Sequence, residues 1–438
     1  MRSNNSKHMI GNIEVHKFGG ASVKDAAGIT TVSNIIAELP VSSLIVVSAT
    51  GKTTNALEQV VHHYMNQTGE ANTLLSEIKK AHVTILHELG LASEEVLADV
   101  MDTFVEIDWI LEDEVQDDYD YVYDQIVSVG ELISSKMLAY QCQKAGLPVV
   151  WVDARGLIIT DNTYREAKVD WQLTQGNVQR EVAVAAGQQQ TLITQGFIGS
   201  STENFTTTLG REGSDYSAGI LAYCMDAASL TIWKDVPGVL TADPRLFDNV
   251  TKLDRLDYRE AIEMTYYGAK VIHPKTIKPL QNKNIPLYVK PFGEPQASGT
   301  IITSGVVAQY PPVVVIEQNQ LLVHIATRDF SFVAEQHLSE IFATMTELNI
   351  KVNMMRNTAI SFTACIQDYG DKAEQLAQQL AAKYVVHMDR DLELVTIRHF
   401  DGNTKRRLSE GKVILFEETI ATTIRMAMQD IPTVVRKA

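Results

Sequence analysis

Through its first 300 residues the chain alternates short, wholly apolar runs with longer stretches in which apolar residues recur every three or four positions. A strand that is apolar on both faces is buried between layers, and helix-length runs between such strands are crossovers joining parallel neighbours. Residues 13–18, 43–48, 148–153, 191–196, 229–235 and 286–290 read as the strands, with helical patterns such as 122–145 and 215–227 between them. The pattern predicts an α/β fold, a mostly parallel sheet sandwiched by helices. Ligands of such sheets sit where the loops leave the carboxyl ends of the strands.

A chain of 438 residues exceeds one ordinary core, so a second domain is expected. The character changes at 304–312, where Tyr310-Pro311-Pro312 cannot continue a helix and reads as a linker. After it come a strand (321–327), a helix (332–348), two strands (352–355, 359–367), a helix (372–383) and a strand (392–399), the order of a small α+β ferredoxin-like module. Beyond it only a hairpin (413–418 and 422–428) is expected, with a short charged turn over 401–412 in place of a helix. The domain reading is therefore 10–303 followed by 313–438, with a reduced second module at the end.

The formal charge of −16 argues against nucleic acid as a partner. Much of it lies between Glu94 and Asp124, where thirteen acidic residues occur without one Lys or Arg. Val96, Val100, Val105, Ile107, Ile110 and Leu111 keep helical spacing through the same stretch, so 70–124 reads as an inserted helical segment with a solvated acidic face. A metal site is the alternative reading. No apolar run approaches the roughly 20 residues of a membrane-spanning helix, and the polar start lacks a secretion signal. Cys142, Cys224 and Cys365 are far apart and without metal-binding spacing, which suits free thiols in a reducing cytoplasm.

Three segments carry chemistry. Lys17-Phe18-Gly19-Gly20-Ala21-Ser22-Val23 stands where the first strand meets the first helix. Paired glycines let backbone N–H groups approach a phosphate, and Lys17 adds a full charge; the bland alternative is a glycine turn with an exposed lysine. Gly210-Arg211-Glu212-Gly213-Ser214-Asp215 again joins a glycine loop to a helix start. Capping explains Ser214 or Asp215 but not Arg211, whose planar fork suits a carboxylate or phosphate. From Lys234-Asp235 to Asp243-Pro244-Arg245 the chain leaves a buried strand and turns twice, with cations at both ends. Downstream, Gly268-Ala269-Lys270-Val271-Ile272-His273-Pro274 offers Lys270, while His273 before a proline reads as a packed turn residue. Gly51-Lys52-Thr53 imitates the end of a P-loop, but the glycine that motif needs is Val46.

These segments, in this order and covering about residues 13–303, resemble the motifs of aspartokinases. The resemblance implies the amino-acid kinase fold followed by a C-terminal regulatory region of ACT type. It implies an ATP-dependent phosphotransferase acting on L-aspartate, the first step of lysine, threonine and methionine biosynthesis, with Mg2+ bound chiefly to ATP. Lys17, Gly19, Gly20 and Ser22 would then lie along the ATP phosphates, and Lys234, Asp235, Arg245 and Lys270 would line the nucleotide site. Thr54 matches a substrate contact, Glu131 the acid that receives the substrate ammonium, and Arg211 the partner of the α-carboxylate. Asp215 would orient the substrate amine and, with Lys17, count as catalytic. Leu240 departs from the tyrosine many relatives carry near the nucleotide. Arg328-Asp329-Phe330-Ser331-Phe332 lacks a glycine often found in the effector loop.

An aspartate side chain is ionised at neutral pH, its reference pKa being about 3.9, so no general base is required. Catalysis must rest on positioning and on cations at the transferring phosphoryl group, Lys17 first among them. A kinase for glutamate or N-acetylglutamate is the nearest rival, and Glu131 favours a substrate with a free amine. An inactive amino-acid sensor is the rival of another class. A lysine or threonine effector and a homodimer through the C-terminal region are further expectations. With no sequence after Ala438, a fused homoserine dehydrogenase is not expected.

Overall fold

The computed structural model describes residues 13–41, 43–269, 272–306, 309–329 and 331–431. They fall into two compact units. The first takes the chain up to 239, then 252–265, and returns to reach 306; the second takes 240–251, 266–269 and everything from 309 onward.

The first unit is built on β1 (Glu14–Phe18), β2 (Leu44–Val47), β3 (Val149–Trp151), β5 (Thr191–Gln195), β8 (Ser229–Lys234), β9 (Arg255–Asp257), β10 (Leu287–Pro291) and β11 (Thr300–Thr303). They form one sheet in the order β3-β5-β2-β1-β8-β10-β11-β9. From β3 to β10 every pairing is parallel; β11 runs antiparallel to β10. β2 is buried at all four positions and β5 at all five, as strands covered on both faces must be. A smaller sheet adds β4 (Ile159–Thr160), β6 (Ile198–Ser201) and β7 (Thr206–Thr208).

The helix Ala26–Glu38 starts where the Asp25 carboxylate accepts from the Gly28 N–H at 2.8 Å, and it buries Ile29, Val32 and Ile36 against the sheet. The acidic segment folds as the helices Ala71–Glu88, Glu94–Asp102, Val105–Glu112 and Tyr119–Val127. Their Leu75, Ile78, Leu86, Val100, Ile107 and Val122, with Phe104 between two of them, join the same core as Ile29 and Val47. Several of its acids pair outward, Asp108 with Lys79 at 2.6 Å, Asp99 with Lys136 at 2.9 Å and Glu106 with Arg155 at 3.3 Å. Among the described residues no group of three or more His, Cys, Asp or Glu is placed to hold a metal ion.

The second unit is a six-stranded antiparallel sheet in the order β13-β14-β12-β15-β17-β16. Its strands are β12 (Val313–Thr327), β13 (Val352–Asn357), β14 (Ser361–Gln367), β15 (Tyr384–Arg398), β16 (Lys412–Ile420) and β17 (Thr423–Asp430). β12 and β15 are each 15 residues long, and their register slips between Glu317 and Leu322. The C-terminal part of β12 lies between β14 and the N-terminal part of β15, under the helices Glu335–Glu347 and Asp371–Leu380; the N-terminal part of β12 pairs with the C-terminal part of β15, which pairs in turn with β17. Both halves of the sheet therefore have four strands. A two-turn helix, Gly402–Ser409, occupies the segment expected to be a charged turn. Asp401 caps it by accepting from the Thr404 N–H at 2.7 Å, and none of its residues is fully buried, so no apolar stripe announced it.

Candidate active site

The carboxyl ends of β1, β2, β5 and β8 share one edge, and the loops leaving them surround a cleft of about 990 Å³. Gly19, Gly20 and Ser22 line it from the turn after β1, and Ser48, Ala49, Gly51 and Thr54 from the segment after β2. The two turns are stitched together. The Ser48 N–H donates to Phe18 O at 3.1 Å and the Gly51 N–H to Gly20 O at 3.0 Å. A Cβ on Gly20 would stand 2.8 Å from Ala49 O and 2.9 Å from Gly51 O, closer than a side chain tolerates. Glycine here is a requirement of backbone approach.

Lys17, at the inner side of β1, is buried, and its Nζ lies 2.5 Å from Oδ1 of Asp215. Oδ2 of the same carboxylate is 3.7 Å from the Nζ of Lys234, at the end of β8. Burial works against the ionised form of Asp215, but the two lysines outweigh it and hold the carboxyl below its usual range. Two cations on one buried anion leave this three-residue cluster with a net positive charge. That arrangement suits a further anion.

Glu131 enters from the helix Val129–Lys144 and is 3% exposed. Burial pushes its pKa up to about 8, opposed by the Ala49 N–H, which donates to Oε1 at 3.4 Å, by its own N–H and by Lys17. Its Oε2 meets no hydrogen-bond partner among the described residues. A buried, unpaired carboxylate oxygen facing a cleft calls for a donor, and a cationic donor would restore its charge.

The Gly210 loop contributes Arg211, Glu212, Gly213 and Ser214 beside Asp215. Arg211 is exposed and makes no hydrogen bond or ion pair with another described residue. Glu212 has φ +54°, a left-handed conformation that costs a residue with a side chain about 1 kcal/mol. Its Oε2 accepts from the His273 N–H at 3.0 Å, which fixes the turn. The His273 ring is itself occupied, capping the helix Pro274–Lys283 through the Lys275 N–H at 3.1 Å.

Lys17, Gly19, Gly20, Ser22, Thr54, Glu131, Arg211, Asp215, Lys234 and Asp235 are thus brought to one cleft. Arg245 is not among the lining residues. It belongs to the second unit, 75% exposed, with its guanidinium 2.6 Å from the Asp243 carboxylate two residues back. Lys270 lies outside the described residues. Sequence reasoning missed another wall, Thr163, Tyr164, Arg165 and Glu166 with Tyr123, and the Asp124 carboxylate that anchors it. The one available signal was an acid set among Val122, Ile126 and Val127, the buried face of its helix.

A parallel sheet whose glycine turns, lysines and buried acid converge at its carboxyl edge defines a phosphoryl-transfer site. The chain belongs to the amino acid kinase family, whose sequence profile matches residues 12–291. It is similar to lysine-sensitive aspartokinase 3 of Escherichia coli, at 29% identity over 402 residues, 88% of this chain and 86% of that one. It is also similar to the chloroplastic bifunctional aspartokinase/homoserine dehydrogenase 1 of Zea mays, at 34% identity over 298 residues. That match takes in 66% of this chain and 32% of the relative, so the chain spans about a third of the bifunctional protein. The structure of E. coli aspartokinase III in complex with aspartate and ADP superposes with a TM-score of 0.80 at 26% identity, covering 95% of this chain and 96% of that one.

Proposed function

We propose that this protein is an aspartate kinase, moving the γ-phosphoryl group of ATP onto the side-chain carboxylate of L-aspartate to give 4-phospho-L-aspartate and ADP. The observation that carries the reading is the Lys17–Asp215–Lys234 cluster sharing a cleft with Glu131, whose Oε2 has no partner among the described residues. The likeness to an aspartokinase solved with aspartate and ADP supports it.

The nucleophile is an anion approaching an anion, so the protein's task is charge and placement. Lys17 meets the charge that spreads over the transferring phosphoryl group, and Lys234 meets the nucleotide. Asp215 holds both ammonium groups at fixed spacing, and its negative charge also favours the substrate amine. Gly19, Gly20 and Ser22 offer backbone and hydroxyl donors along the phosphates. Glu131 takes the substrate ammonium, which an acetylated amine could not supply. Arg211 takes the α-carboxylate, and Thr54 contacts the substrate. Asp235, Lys270 and Arg245 are assigned to the nucleotide on the motif match. Mg2+ would enter with ATP, whose phosphates supply much of its oxygen coordination.

The catalytic part is assigned to 10–303 and an ACT-type regulatory region to 313–438. An amino-acid effector, lysine or threonine, is supported by the lysine-sensitive relative. Homodimerisation through the second unit and a cytoplasmic location complete the reading; the three free, buried cysteines fit the latter. No helix among the described residues is long and apolar enough to cross a membrane. ADP release with aspartate, glutamate and N-acetylglutamate as acceptors tests the function. Aspartate-dependent release is expected; release with glutamate alone overturns the assignment.

A further inference from the structure

We propose that Asp124 is a positioning residue for the acceptor side of the cleft, tying the 163–166 wall and the root of the Gly210 loop to one helix. The proposal rests on the aspartate-kinase reading.

Asp124 lies on the helix Tyr119–Val127 and is fully buried. Its Oδ1 accepts from the Arg165 N–H at 3.1 Å and the Thr208 hydroxyl at 2.7 Å. Its Oδ2 accepts from the Arg165 N–H at 3.0 Å and the Thr208 N–H at 2.8 Å. The next residue repeats the tie, Gln125 Nε2 donating to Thr206 O at 2.9 Å. The Ala167 N–H closes the ring by donating to Thr208 O at 3.0 Å. Thr208 stands two residues before Gly210, and a Cβ on Gly210 would come within 3.0 Å of Arg165 O. The loop that bears Arg211 and the wall beside it are therefore in contact and share one anchor.

The choice of side chain is informative. A buried carboxylate without a cation in hydrogen-bond contact is costly, and three donors offset it, the Thr208 N–H, the Thr208 hydroxyl and the Arg165 N–H shared between both oxygens. The charged and titratable groups that act on it are Asp120 and Tyr123 on its own helix and Tyr164 and Arg165 on the wall. Arg165 turns its guanidinium to Asp120 at 3.3 Å and over the Tyr123 ring at 4.5 Å. Burial raises the Asp124 carboxyl to about 6, against the lowering by Thr208 and the Arg165 N–H. Once protonated it meets donors on every side, and the anchor loosens.

Asp124→Asn and the milder Thr208→Val test this in the full chain. For Asp124→Asn the aspartate KM should rise about tenfold or more while the ATP KM stays within about twofold. Thr208→Val should fall between it and the wild type. The ratio of wild-type to Asp124→Asn kcat/KM for aspartate, in which titration of the substrates cancels, should be flat above pH 7 and shrink below pH 6. Independently of turnover, amide hydrogen exchange at Arg165 and Thr208 should quicken in Asp124→Asn, with the central sheet unchanged. Equal rises of both KM values, a ratio independent of pH, or unchanged exchange at the two amides would each overturn the proposal. Absence of aspartate turnover in the wild type would instead overturn the functional reading, leaving the exchange measurement to decide the anchor.

Discussion

Lys17 and Lys234 share one carboxylate, yet they differ in burial, and the deeper one is the residue proposed above to meet the reacting phosphoryl group. Lys17→Ala should lower kcat by about a hundredfold or more with little change in aspartate KM, as loss of one charge-stabilising group does; steady-state kinetics with both substrates varied measures it. Glu131 carries a pH signature. Its folded pKa, about 8, lies above the unfolded value near 4.5, so the folded state holds the extra proton and stability falls as pH rises from about 4.5 to 8. Glu131→Gln, which cannot ionise, should flatten that fall in a thermal-unfolding series from pH 5 to 9. It should also raise aspartate KM about tenfold or more, because the ammonium loses its counter-charge. Both residues were legible as motif members. Asp124 was not, because an acid in an acidic run reads as solvated until the fold shows which face is inside.

At the scale of elements, the site depends on where strands stop. Gly196 follows the last residue of β5, and a Cβ there would sit 2.5 Å from the Cβ of Ser214, in the first turn of the helix Gly213–Cys224 that carries Asp215. Gly196→Ala should displace that turn, lowering kcat about tenfold or more while far-UV circular dichroism stays native. The buried strands were readable from apolar runs alone, since parallel strands covered on both faces leave that imprint. Boundaries set by partners were not readable. The pattern 122–145 divides at Ser128 into two helices, Tyr119–Val127 and Val129–Lys144, although its apolar periodicity hardly breaks. β12 begins at Val313 and β15 at Tyr384, eight residues before the starts expected at 321 and 392, because the added residues of each strand pair with the expected part of the other across a long sequence gap.

For the whole molecule, the division at the proline step near 311 is only partly how the chain is organised. Residues 240–251 and 266–269 belong with the second unit. Thr241 O accepts from the Val314 N–H at 2.7 Å, and Ala242 and Phe247 pack on Val314, Ile397 and Met426. Tyr267 lies under the guanidinium groups of Arg398 and Arg425, at 5.6 and 5.0 Å. A chain stopped at Gly305 should therefore be cut by trypsin at Arg245 roughly tenfold faster than the full chain, the mark of a segment deprived of its packing; mass spectrometry of the first fragments reads the site.

The polypeptide crosses between its units after 239, 251, 265, 269 and 307. For recombination this is a severe constraint. A graft that exchanges everything after the proline step inherits a foreign sheet but keeps the host's two tongues, which were shaped for another surface. Such chimaeras hold together when the donor's 240–251 and 266–269 travel with its tail, so inheritance of the tail is tied to short stretches written far upstream of it.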